Sequence, residues 1–130
     1  MAEHDWNEMI KMCEDHGLLA KKLYVIFTKP TDGLGPVMEN LDEHLKFQGE
    51  LEAKGVMLAA GPFSDAAEAE WRGEGMVIIR AGSKAEAEEI AKSDPMHASG
   101  ARSFEIRPWL MNEGKLTIEL TFSDGGRKII

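Results

Sequence analysis

The chain contains one cysteine, Cys13, in 130 residues. A lone thiol excludes an intrachain disulfide framework and any zinc ribbon. Positive charge is also scarce: 15 Lys and Arg against 23 Asp and Glu give a net charge of -8. No basic cluster is longer than Lys21-Lys22 or Arg127-Lys128. Such a chain repels phosphate backbones, so no nucleic-acid partner is expected. No apolar run approaches the roughly 18–20 residues of a membrane span, so no membrane partner is expected either. Residues 1–5 lack the basic and apolar regions of a secretory leader. These absences point to a soluble cytoplasmic protein.

What is present fits one globular body. The 43% hydrophobic and 29% charged fractions are those of chains that bury a core. The length is that of a single domain over 1–130.

Periodicity divides the chain into elements. Trp6, Met9, Ile10 and Cys13 recur at helical spacing over 4–16, with Asp5 placed to cap the start and Gly17 to end it. Residues 23–28, LYVIFT, are β-branched and aromatic and stop at Pro30, as a strand does. From 37 to 54 the pattern becomes helical, with Val37, Met38, Leu41, Leu45 and Leu51 on one side. Strands follow at 56–61 and 75–80. Ser83 and Glu86 have capping-box spacing and open a helix that Asp94-Pro95 closes, since proline disfavours helical geometry in the residue before it. A strand covers 103–109. Residues 115–123 alternate again as an additional strand.

The core order is therefore strand, helix, strand, strand, helix, strand. This is the ferredoxin-like βαββαβ arrangement, an α+β fold with both helices on one face of a four-stranded sheet. The other face would carry apolar residues with no helix over it. Pairing of two such sheets into a dimeric α+β barrel is the natural way to cover it.

His44 is the most informative side chain. It lies about 60° from Leu41 on the helical wheel, which directs an imidazole toward the sheet. One reading is a core-edge histidine satisfied by a backbone carbonyl. The other is a general acid or base, since an unperturbed imidazole titrates near ~6.5. Asp94 either makes the Asp-Pro turn or, if the second helix ends beside the middle of the first, orients His44. An Asp–His pair fixes the imidazole tautomer and raises its basicity. His97 reads as a second acid/base or as an exposed loop residue. Trp71 and Trp109 suit either an aromatic pocket floor or an interface. Cys13, on an apolar stripe, reads as a packed thiol.

The four histidines, His4, His16, His44 and His97, show no metal-ligand spacing, so no metal is expected. Gly33-Leu34-Gly35-Pro36 lacks the third glycine of a dinucleotide fingerprint, and no phosphate-loop lysine exists. No cofactor is expected.

Several segments together resemble the YCII-related family. They are Asp42-Glu43-His44-Leu45, the run from Leu51 through Gly55 to Gly61-Pro62, and Asp94-Pro95-Met96-His97 leading through Gly100-Ala101 to Phe104 and Pro108-Trp109. The resemblance spans about 22–112. It implies a homodimer or higher homo-oligomer of ferredoxin-like protomers, each with a pocket holding a His–Asp pair. Carried onto this chain, His44 and Asp94 are the catalytic residues and Gly61 and Pro62 shape the wall. His97 and Trp109 complete the expected substrate-binding set. The implied activity is cofactor-independent proton transfer on a small aromatic or lactone-type molecule, of lyase, isomerase or dehydrochlorinase type. The alternative is a non-catalytic module that binds a small molecule or serves assembly. The 4–16 helix and the strand after 114 are additions to the family pattern.

Overall fold

The computed structural model describes residues 4–130. Residues 1–3, within the 1–5 stretch expected to lack a secretory leader, lie outside them. The described residues divide into two compact units, one made of 4–21 with 111–130, the other of Lys22–Leu110.

The larger unit holds the expected core. Strand β1 (Lys21–Pro30) is followed by helices α2 (Leu34–Glu39) and α3 (Leu41–Ala53), then by β2 (Met57–Pro62) and β3 (Gly75–Ile79). Helices α4 (Lys84–Ser93) and α5 (Pro95–Ala98) lead to β4 (Arg102–Met111). The sheet is four-stranded and antiparallel, in the order β2-β3-β1-β4, as the ferredoxin-like fold requires. β1 and β3 pair with Ile26 opposite Val77 and Tyr24 opposite Ile79. β2 carries a bulge between Met57 and Ala59 before it ends with Pro62 opposite Gly75. Proline is tolerated there because β2 is an edge strand.

Alternation along the strands separates two faces. Ile26, Val77, Ile79 and Ile106 form one buried cluster with Ala87 and Ala91 of α4. Burial of a side chain as large as Ile79 is worth about 1.5–3 kcal/mol, and the two alanines let the helix approach closely. On the opposite face Leu23, Val25 and Ile78 are buried as well, while Phe27 and Trp109 remain 36% and 39% exposed. That face is thus less open than the element order alone suggests.

The helix expected over 37–54 starts earlier and is broken. Asn40 adopts φ -103°, ψ 4° between α2 and α3, and its amide donates to the Pro36 carbonyl at 2.8 Å. Asparagine competes with the helix for backbone partners in this way. At the other helical segment Ser83 Oγ accepts from the Glu86 amide at 3.1 Å and Glu86 reaches back to the Gly82 amide at 2.8 Å, so the capping box forms with a one-residue offset.

The smaller unit contains α1 (Trp6–Asp15), capped by Asp5. Asn112 ties it together, accepting from the Leu19 and Ala20 amides and donating to Cys13 Sγ at 3.3 Å. In place of one strand over 115–123 there is a hairpin of β5 (Ile118–Leu120) and β6 (Arg127–Ile129). The chain reverses because Asp124 accepts from Thr121 Oγ1 at 2.6 Å and from the Gly126 amide at 2.8 Å. These bonds hold the Asp124 carboxyl below its ordinary range. No helix among the described residues is long and apolar enough to cross a membrane.

Candidate active site

Asp94 sits at the junction of α4 and α5. The proline that follows holds it extended, at φ -65°, ψ 127°. Its carboxylate then turns over the first turn of α5 and accepts from the Met96 amide at 2.9 Å. Asp94 is therefore an N-cap as well as a helix terminator, a favourable position for an acidic side chain. Met96 is fully buried against Val37, Leu41 and Ala101, which seats α5 on α2 and α3. That packing brings Asp94 opposite His44.

His44 Nδ1 lies 2.8 Å from both Asp94 oxygens. The two residues are 7% and 5% exposed, so the pair is enclosed. An ionised carboxylate only accepts, so Nδ1 carries the proton and the lone pair of the neutral ring is on Nε2. Nδ1 is engaged by Asp94, so Nε2 is the free nitrogen of a ring that lines, with Leu41 and Leu45 of α3, a cavity of about 280 Å³. Gly61 and Pro62 form part of the same lining.

His97 is not an exposed loop residue. On α5, its Nδ1–H donates to the Ala91 carbonyl at 2.7 Å, and its Nε2 accepts from Thr28 Oγ1 at 2.8 Å. The ring leans on Phe104 with centroids 4.6 Å apart. Burial lowers its pKa from 6.5, opposed by the Ala91 carbonyl and the charge of Asp94. It is a neutral, fully bonded ring behind Thr28. Thr28 lines the cavity and His97 does not. Trp109 also lies outside the lining, because it is seven positions along β4 from Arg102, and an odd spacing puts it on the opposite sheet face.

Arg102 is a cavity side chain that the sequence does not reveal. It opens β4, is 7% exposed and lines the cavity. Its Nε is enclosed with no hydrogen-bond partner, and its Cζ stands 6.0 Å from the Trp71 ring centroid. Burial pushes the guanidinium below its usual value while the Asp94 charge works against this. In sequence, a basic residue after Gly100-Ala101 looks like any surface cation. Trp71, weighed above as a pocket floor or an interface residue, lines the cavity. Its indole N–H donates to the Glu74 carbonyl at 2.9 Å. Gly73 makes this turn at φ +85°, where a Cβ would come within 2.5 Å of Pro30 Cγ. Among the described residues no three His, Cys, Asp or Glu side chains converge as metal ligands would.

A ferredoxin-like sheet, helices over one face and a buried His–carboxylate pair beside a cavity define a small α+β pocket protein. The chain belongs to the YCII-related domain family, whose sequence model matches residues 22–110, the same span as the larger compact unit. It is 32% identical over 90 residues to the uncharacterized protein YjpA of Bacillus subtilis (strain 168), a match over 69% of this chain and 96% of that protein. Among solved structures it is similar to the 5-chloro-2-hydroxyhydroquinone dehydrochlorinase TftG from Burkholderia phenoliruptrix AC1100, in complex with 2,5-dihydroxybenzoquinone. That likeness has a TM-score of 0.57 and 23% identity and covers 67% of this chain and 92% of the other. At that identity it is a likeness of fold.

Proposed function

We propose that the protein is a small, cofactor-independent enzyme that moves a proton on a small organic substrate, with His44 as the acid/base and Asp94 as its partner. The observation that carries this is the enclosed bond from His44 Nδ1 to the Asp94 carboxylate, which leaves Nε2 as the free nitrogen of a ring that lines the cavity. The chemistry this supports is proton abstraction from a carbon next to a carbonyl. Nε2 takes the proton, and the C–H electron pair moves into the carbonyl as an enolate. The imidazolium so formed is stabilised by the Asp94 charge. Return of the proton at another carbon is an isomerisation, and departure of a leaving group such as chloride from the adjacent carbon is an elimination. A solved protein of this fold being a dehydrochlorinase supports the second outcome.

A cavity of about 150 Å³ accepts benzene, so this one, at about 280 Å³, has room for a substituted single ring. The assembly we propose is a homodimer joined through the sheet face that leaves Phe27 and Trp109 exposed. Light scattering should then give twice the mass of one chain.

The test is turnover of a panel of chlorinated hydroxyquinols and small lactones by wild type and His44→Asn. General acid–base catalysis contributes about 10²–10⁴-fold, and the variant should lose a factor of that size while near-UV circular dichroism stays native. A variant that folds and keeps wild-type turnover excludes His44 as the base. If the wild type turns over no member of the panel but binds several, the protein is a binding module.

A further inference from the structure

We infer that Arg102 is the recognition group for an oxyanion, and that the cavity takes a planar, single-ring molecule bearing a carboxylate or an ionised hydroxyl. The inference rests on the reading above in treating the cavity as a substrate site, but it stands on a different residue.

A guanidinium has five N–H donors and no acceptor. When buried, such a charge is ordinarily paired. The Arg102 side chain takes part in no hydrogen bond or ion pair among the described residues, and its Nε is wholly enclosed without a partner. Asp94 acts on the guanidinium through its charge but makes no hydrogen bond or ion pair with it; its oxygens face His44, and one also holds the Met96 amide. Glu74, the one acidic residue of the lining, is an exposed residue of the turn whose carbonyl holds Trp71. The fold thus keeps in the wall of a cavity a guanidinium with no anion hydrogen-bonded to it, and a bound oxyanion would supply one. The planar fork fits a carboxylate or paired oxygens better than it fits a monatomic ion. The Trp71 ring beside the guanidinium offers its face to a flat molecule held there. His44 lines the same cavity, so an anion anchored at Arg102 carries the rest of the ring within reach of Nε2.

Benzoate and its neutral isostere benzamide are suitable probes. Binding is followed by fluorescence in the Trp6→Phe/Trp109→Phe background, where Trp71 is the remaining indole. The protein should bind benzoate at least ten-fold more tightly than benzamide. Arg102→Met should abolish that preference while melting, without ligand, at or above the parent temperature, since an unpaired buried charge has been removed. Arg102→Lys, with the charge but not the fork, should fall between. His44→Asn should keep the preference even where turnover is lost, so failure of the catalytic reading is distinguishable from failure of this one. Absence of a benzoate preference in the parent protein overturns the inference, whether both probes bind or neither does. So does a preference that survives in Arg102→Met, or an Arg102→Met protein that melts well below the parent or does not fold, which would make the guanidinium structural.

Discussion

Replacing Asp94 by asparagine changes one atom of the carboxylate and should invert the tautomer of His44. Oδ1 lies 2.9 Å from the Met96 amide, which needs an acceptor, so the asparagine oxygen stays there and the cap survives. Asparagine and aspartate cap about equally well. The new amide nitrogen then takes the place of Oδ2, 2.8 Å from His44 Nδ1. Oδ1 remains an acceptor 2.8 Å from Nδ1, but with Nδ1 protonated the amide N–H on the Oδ2 side is held at the same 2.8 Å, a repulsive contact. The ring relieves the conflict by moving its proton to Nε2, so that Nδ1 accepts from the amide. A hydrogen bond to a charged group contributes about 1.5–3 kcal/mol and a neutral one about 0.5–1.5, so the stability loss is about 1 kcal/mol. In a domain of this size that lowers Tm by roughly 2–8 °C. The same inversion in a Ser-His-Asp triad costs about 10⁴ in kcat, and a comparable loss is expected here. Asp94→Ala should be worse for stability, because the cap (about 1 kcal/mol) and the partner of a buried N–H (about 1–3 kcal/mol) go together. The assay is long-range proton–nitrogen correlation NMR of the His44 ring at alkaline pH, which distinguishes a protonated from an unprotonated ring nitrogen without any substrate. A wild-type ring protonated on Nε2, or an Asp94→Asn ring identical to wild type, would refute the reasoning.

Three further outcomes are expected. Burial holds the His97 pKa below 6.5, so the folded state binds fewer protons than the unfolded one as pH falls. The stability linked to His97 is full above about 6.5 and is lost as pH drops below it. Tm measured from pH 8 to 5 should therefore fall more steeply in wild type than in His97→Gln, and equal slopes would show that His97 is not the group responsible. Gly73→Ala combines a φ of +85° with a Cβ placed 2.5 Å from Pro30 Cγ and 2.9 Å from Leu34 Cδ2. The backbone strain and the overpacking together should cost about 2–4 kcal/mol by urea denaturation, and a loss under ~0.5 kcal/mol would mean that the turn yields freely. Met96→Ala should cost about 2–5 kcal/mol as a buried truncation and should also lower the proposed turnover, because Met96 seats the helix that carries Asp94. Unchanged kinetics in a folded Met96→Ala protein would disconnect that packing from the site.

Local chemistry was enough for much of this molecule. Strand-forming runs such as Leu23-Tyr24-Val25-Ile26, the Ser83–Glu86 cap and the Asp94-Pro95 stop act over a few residues, so composition and spacing alone determine them. The element order that they produce leaves the ferredoxin-like sheet as the economical packing, and the position of His44 on the apolar side of α3 already directs its ring inward. Tertiary structure decided the rest. The His44–Asp94 bond joins residues fifty positions apart and exists only because Met96 packs α5 against α3. His97 becomes a neutral strut because Ala91 and Thr28 happen to flank it. The same non-local packing leaves Arg102 enclosed with no carboxylate hydrogen-bonded to it. Whether a charge is paired or stranded depends on every element that folds around it, and no window of sequence contains that information.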